Sequence, residues 1–190
     1  MKRRVVFIIP GYQESLSLFR YKQVARFFRA KRIKVIPVNI KWKYKVMSDY
    51  IIQFKDIFQK NKGQESHFFG FSFGAFIAFA SAIELKPKCM ILCSLSPYFL
   101  EDLKIFPKSW KKGQKKRLLD IRNFEFNKMA RKIKSKTYLF VGEKEHKILI
   151  NRSKEAKKEI KNSSIKIVKG AKHHLSEKYL DEVRKIVNKI

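Results

Sequence analysis

Acidic residues are scarce in this chain: 16 Asp and Glu stand against 45 Lys and Arg in 190 residues, a formal charge of +29 at pH 7. An imbalance of that size bears on partners and on electrostatic steering, not on fold. Glycine and proline are also few, seven and five, which excludes collagen-like or linker-like character. With 45% hydrophobic residues and 17 Phe, the chain is too apolar for intrinsic disorder despite its charge. Two cysteines, Cys89 and Cys93, cannot staple a disulfide scaffold. On a strand they would stand roughly 13 Å apart, beyond disulfide reach. They read as buried thiols of a reducing compartment, and a cytoplasmic location is expected.

Long hydrophobic runs are missing as well. The start, Met1-Lys2-Arg3-Arg4 followed by Val5 to Ile9, imitates a signal peptide, but its apolar stretch ends after five residues at Pro10-Gly11. A signal core needs about 7–15, so no targeting segment is expected. Residues 67–83, HFFGFSFGAFIAFASAI, carry no Lys, Arg, Asp or Glu and contain Gly70-x-x-x-Gly74, a spacing used where membrane helices pack closely. The stretch is short for a span; a strand, a tight turn and a buried helix account for it, and only that version fits the alternating segments on either side.

Strand-like and helix-like segments alternate along the chain. Strands are expected at Arg4–Ile9, Ile33–Trp42, Ser66–Phe71, Cys89–Leu95, Thr137–Val141 and Ile165–Lys169, and Pro37 argues that the second is an edge strand or carries a bulge. Helices are expected at Leu16–Lys31, Ser48–Asn61 with Ser48 as N-cap, Gly74–Leu85, Arg152–Lys161 and Ser176–Ile190. Six strands separated by helices imply βαβ units and a mainly parallel sheet covered on both faces. The expected organisation is one α/β domain over 1–190, interrupted at 97–136 by an insertion with no strand signal. No internal repeat, phosphate-binding Gly-rich loop or dinucleotide fingerprint is present.

Gly70-Phe71-Ser72-Phe73-Gly74 is G-x-S-x-G, set where the third strand meets a helix. In this nucleophile-elbow context a sharp turn presents the serine hydroxyl above the sheet, and the glycines are needed where strand and helix pass close to it. From these residues on, the chain resembles the α/β-hydrolase family. Phe7-Ile8-Ile9-Pro10-Gly11-Tyr12 is similar to that family's first strand and oxyanion loop, with Pro10 where His is common. Leu139-Phe140-Val141-Gly142-Glu143-Lys144-Glu145 resembles its strand-G-x-x-D segment, with Glu145 at the acid position and Glu143 as a rival. Val168-Lys169-Gly170-Ala171-Lys172-His173-His174 resembles its G-x-x-H, with His173 rather than His174 at the base position. The resemblance implies a minimal three-layer αβα sandwich with strand order 2-1-3-4-5-6, a nucleophile Ser72, a base His173 and an orienting acid Glu145. It also implies an oxyanion hole from the backbone N–H groups of Tyr12 and Phe73, and no cofactor.

The residues support the same reading independently. In an open parallel sheet, ligands lie outside the carboxyl ends of the strands, and Tyr12, Ser72, Glu145 and His173 each follow an expected strand. A serine hydroxyl needs a base, which His173 supplies and Glu145 can orient. His174, His146 and His67 read as structural or exposed, and no H-x-x-x-H or C-x-x-C spacing supports a metal. The expected activity is hydrolysis of a small-molecule ester or thioester through an acyl-Ser72 intermediate, and Phe71 and Phe73 suggest an apolar acyl pocket.

Charge is concentrated in the insertion, where Lys104–Lys136 holds thirteen Lys and Arg against two acids. It occupies the place where the resembled family inserts a cap or lid, and could draw in an anionic substrate or surface. Trp110, Phe106, Leu118 and Leu119 give it apolar residues to bury. The competing reading is a non-catalytic basic α/β domain that uses the charge to bind nucleic acid or membrane lipid. It explains the charge but not the elbow, the acid and the histidine together. No specific nucleic-acid partner and no transmembrane segment are expected, while peripheral membrane contact stays open.

Overall fold

The computed structural model describes residues 3–43, 45–106 and 114–190; Trp110, Lys111 and Lys112 of the insertion lie outside them. Runs of β-branched and aromatic residues form β1 (Arg4–Ile9), β2 (Lys34–Pro37), β3 (Glu65–Phe71), β4 (Cys89–Cys93), β5 (Lys136–Gly142) and β6 (Ser163–Val168). All pair in parallel in one sheet of order β2-β1-β3-β4-β5-β6, as expected. The expected second strand, Ile33–Trp42, is shortened: its ladder ends at Pro37 on the sheet edge, because proline has no N–H to continue it.

Side-chain alternation along each strand divides the core in two. Val5, Phe7 and Ile9 of β1 and Met90 and Leu92 of β4 face one layer, built from α2 (Met47–Asn61), α3 (Phe73–Leu85) and α6 (Lys147–Glu159). Val6 and Ile8 of β1 and Ile91 and Cys93 of β4 face the other, built from α1 (Phe19–Ala30) and α7 (Glu177–Val187). The result is a three-layer αβα sandwich. No helix among the described residues is long and apolar enough to cross a membrane. The uncharged stretch 67–83 is most of β3, the turn and the first part of α3.

Between β4 and β5 the described part of the insertion forms a short 3-10 turn (Leu100–Lys104), α4 (Lys115–Ile121) and α5 (Phe126–Ala130). It packs through Phe99, Ile121, Phe124, Phe126 and Ile133 against the α3 layer, with Phe76 and Phe79 of α3 in ring contact with Phe99. Phe106 is partly buried against the same core, whereas Leu119 is exposed. Ser48 is not the N-cap of α2; that position is Val46. The hydroxyl of Ser48 instead donates to Asp120 of α4, whose carboxylate also accepts the Met47 and Ser48 N–H groups at 2.9 and 3.3 Å. A carboxylate from another element thus does the work of a local cap.

Candidate active site

The turn between β3 and α3 holds Ser72 at φ 54° and ψ −118°, a conformation that L-residues avoid and that is found at functional turns. Close packing makes the glycines around it obligatory. A Cβ on Gly70 would lie 2.4 Å from the Gly74 carbonyl oxygen, and one on Gly74 would lie 2.1 Å from that of Ile9. Helix α3 therefore starts against the end of β1 with no side chain between them. The Ser72 N–H is held by the Cys93 carbonyl at 2.9 Å.

Because all strands are parallel, the segments following β1, β3, β5 and β6 converge on one rim. There Ser72 Oγ lies 3.0 Å from His173 Nε2, and His173 Nδ1 lies 2.7 Å from Glu145 Oε2. The Glu145 carboxylate is fully buried, while the His173 side chain is 41% exposed. The structure therefore brings together the serine, histidine and acid singled out in the sequence. It also separates the rivals. Glu143 is exposed and accepts the Gly170 N–H at 2.8 Å. His174 is exposed, and His146 caps α6 by accepting the Ile148 N–H.

Three donors converge on the other Glu145 oxygen: the Gly142 N–H at 2.8 Å, the Ser94 hydroxyl at 2.7 Å and the Tyr179 hydroxyl. Burial pushes the Glu145 carboxyl up, but the hydrogen bonds from His173, Tyr179, Gly142 and Ser94 outweigh it and hold the carboxyl below its ordinary range. Burial and the neighbouring carboxylate push the Tyr179 phenol up, so it stays a protonated donor. Ser94 and Tyr179 were not recognisable as site residues from sequence. Ser94 follows β4 at the same rim with φ 55°, and Tyr179 sits among the apolar residues of α7, where an aromatic reads as core.

The loop after β1 is equally fixed. The Gly11 N–H is 2.9 Å from the Tyr21 hydroxyl and 3.2 Å from Glu14 Oε2, and the Glu14 N–H donates back to the Gly11 carbonyl at 3.0 Å. Arg20 pairs with the same carboxylate. This arrangement sets the backbone of Tyr12 beside the elbow, where the Tyr12 and Phe73 rings are in contact, centroids 5.3 Å apart. Phe73 is the first residue of α3, where N–H groups have no intrahelical acceptor. The acyl-pocket expectation for Phe71 does not hold. Its ring is buried and packs on His173, centroids 5.3 Å apart, and edge-on to Tyr179, so it supports the histidine rather than lining open space. No group of acidic, histidine and cysteine side chains among the described residues could hold a metal ion.

No protein-family model matches the sequence, and no curated protein matches it. Solved structures do. Est1E from Butyrivibrio proteoclasticus superposes with a TM-score of 0.83 at 13% identity, over 99% of this chain and 86% of that one. The mouse alpha/beta hydrolase domain-containing protein 10 gives a TM-score of 0.79 at 11% identity, over 97% and 88%. The Pyrococcus furiosus esterase Pf2001 gives 0.74 at 17% identity, over 99% and 83%. With the strand order and the strained turn after β3 already described, these likenesses establish that the chain has the α/β-hydrolase fold.

Proposed function

We propose that this protein is a serine hydrolase that cleaves a carboxylic ester or thioester through an acyl-Ser72 intermediate. The observation that carries the proposal is the hydrogen-bonded chain from Ser72 through His173 to buried Glu145, mounted on a turn with φ 54°. One of these neighbours, Pf2001, is an esterase by name, and one structure of Est1E holds ferulic acid, which supports the ester chemistry proposed for this site.

In this mechanism Ser72 Oγ attacks the acyl carbon as its proton passes to His173 Nε2. The carbonyl oxygen gains negative charge and is met by the N–H groups of Tyr12 and Phe73. His173 then returns the proton to the departing alkoxide or thiolate as the bond to the leaving group breaks. Water, deprotonated by the same nitrogen, attacks the acyl-serine; as the bond to Ser72 Oγ breaks, His173 hands that proton back to Oγ, and the carboxylic acid leaves and ionises in solvent. Glu145 keeps the Nδ1 proton in place throughout and stabilises the transient imidazolium.

The test is labelling with a fluorophosphonate together with hydrolysis of p-nitrophenyl esters. Wild-type protein should be labelled at Ser72 and turn over the esters. Ser72→Ala should be folded, unlabelled and slower by up to about 10⁶-fold. A Ser72→Ala protein with wild-type turnover would refute the proposal.

A further inference from the structure

A second feature lies directly beside the elbow and plays no part in the steps above. A cleft of about 530 Å³ opens on the far side of Tyr12, with Trp42 as its other aromatic wall and Lys45, Lys115, Lys116 and Arg117 around it. No acidic side chain lines it among the described residues. The Tyr12 ring is shared: it touches Phe73 on the Ser72 side, and Trp42 on the cleft side at 5.4 Å between centroids. The Arg117 guanidinium stands 6.0 Å from the Tyr12 centroid.

Both walls are anchored. The Tyr50 hydroxyl lies 2.8 and 2.9 Å from the carbonyl oxygens of Trp42 and Lys45, which fixes the loop carrying them. The opposite wall, α4, is tied to the start of α2 by Asp120, which is buried and occupied by Met47 and Ser48. The Asp120 carboxylate is thus directed at these donors, and that of Asp49 accepts the Val46 N–H at 3.0 Å; neither lines the cleft. The described lining sets Lys45, Lys115, Lys116 and Arg117 around the cleft with no carboxylate among them. The volume suits a small organic ligand rather than a polymer or a lipid surface.

We infer that this cleft is the subsite for an anionic group of the substrate, so that the preferred ester or thioester bears a carboxylate or phosphate on an apolar or aromatic moiety seated between Tyr12 and Trp42. The inference rests on the serine-hydrolase reading for its catalytic consequence, but its binding can be measured without catalysis.

Ser72→Ala protein is titrated by calorimetry, at low salt, with phenyl phosphate, phenylacetate and neutral benzyl alcohol. Both anions should bind more tightly than the alcohol, their ratio telling phosphate from carboxylate, and binding should weaken as salt shortens the screening length to about 8 Å near 0.15 M. K115Q/K116Q/R117Q should lose at least tenfold in anion affinity, R117K alone should retain most of it, and K154Q/K157Q/K161Q, which removes the same charge from exposed positions on and just beyond α6, should retain it. In active protein, the ratio of kcat/KM for p-nitrophenyl hydrogen glutarate to that for p-nitrophenyl valerate, and for 4-acetoxybenzoate to that for its methyl ester, should fall with the first triple variant only. Equal losses in the two triple variants would assign the effect to net charge and overturn the inference. So would hydrolysis of neutral esters with no anion binding, or binding of anionic vesicles with none of phenyl phosphate. Anion binding that depends on Lys115–Arg117, with no Ser72 labelling and no ester turnover, would keep the anion site and overturn the hydrolase reading instead.

Discussion

At the scale of single residues, the candidate site is specified by how many donors a carboxylate receives. Glu145 takes the His173 N–H on one oxygen and three donors on the other. A Gln at this position has one oxygen and one NH₂. The three donors would claim the oxygen and turn the NH₂ toward His173 Nδ1, forcing the proton to Nε2, where the ring can no longer accept one from Ser72. Glu145→Gln is therefore expected to lower ester turnover by about 10³–10⁴-fold, the scale seen when a triad acid is neutralised in place. Glu143→Gln, which touches only the Gly170 N–H at the surface, should stay near wild type; steady-state rates of the two variants decide it, and the reverse ranking would move the acid role to Glu143. Tyr179→Phe should cost about 1.5–3 kcal/mol of stability by urea denaturation, as a buried hydrogen bond to a charged group is lost. Ser72, Glu145 and His173 were legible in sequence because each stands at a fixed offset from a glycine. Ser94 and Tyr179 were not, because they reach the site through Glu145 and their spacing from it, 51 and 34 residues, is set by the three-dimensional fold.

At the scale of elements, what places Ser72 and Tyr12 together is the contact of α3 with the end of β1. Gly74→Ala sets two effects against each other. Alanine is the better helix former by about 1 kcal/mol, but its Cβ would meet the Ile9 and Pro10 carbonyl oxygens at 2.1 and 2.5 Å. Those are backbone atoms that cannot swing aside, so α3 or the β1 loop must move, and overpacking costs about 1–3 kcal/mol. The clash should win: Gly74→Ala is expected to lower the melting temperature and to lose turnover together, since both proposed oxyanion donors sit on the displaced elements. A variant as stable and active as wild type would show that the contact tolerates the shift. The strands could be read from their apolar runs and most of the large helices from several turns of apolar period, but α6, expected only from Arg152, begins at Lys147, its charged sequence giving little apolar period to read. Helices α4 and α5, of seven and five residues, are too short to show a period. Ser48 looked like a cap because Ser is a good local cap; the sequence carries no sign that Asp120, 72 residues away, arrives to use its hydroxyl instead.

At the scale of the whole molecule, charge is the property that composition announces most loudly, and it must be separated from the titration of particular groups. His67 lies on β3, buried, with Nε2 3.1 Å from Glu65 and Nδ1 without a partner among the described residues. Burial, opposed by Glu65, holds its pKa below the ordinary 6.5. The unfolded chain therefore takes up a proton at a higher pH than the folded one does, and stability must fall as pH drops below 6.5. The shifted carboxylates, Glu65, Asp102 and Glu145, have ordinary values of 4.5, 3.8 and 4.5. Folding lowers the two glutamates and raises Asp102, whose burial outweighs its pairing with Arg152. Asp102, being raised, adds stability as pH falls, and the two lowered glutamates lose theirs around and below their ordinary 4.5, so a decline between pH 7 and 5 belongs to His67 among the groups that folding shifts. Unfolding free energy across that window should decline with a slope of at most about 1.4 kcal/mol per pH unit, and His67→Leu should flatten it. Self-repulsion from a net charge of +29 also destabilises the compact state, but salt screens it, whereas a buried proton site is screened much less. Repeating the denaturant titrations at 0.5 M salt should raise stability at every pH while leaving the wild-type slope in place. A slope that vanishes in salt, or survives in His67→Leu, would assign the acid sensitivity to the overall charge and not to the buried histidine.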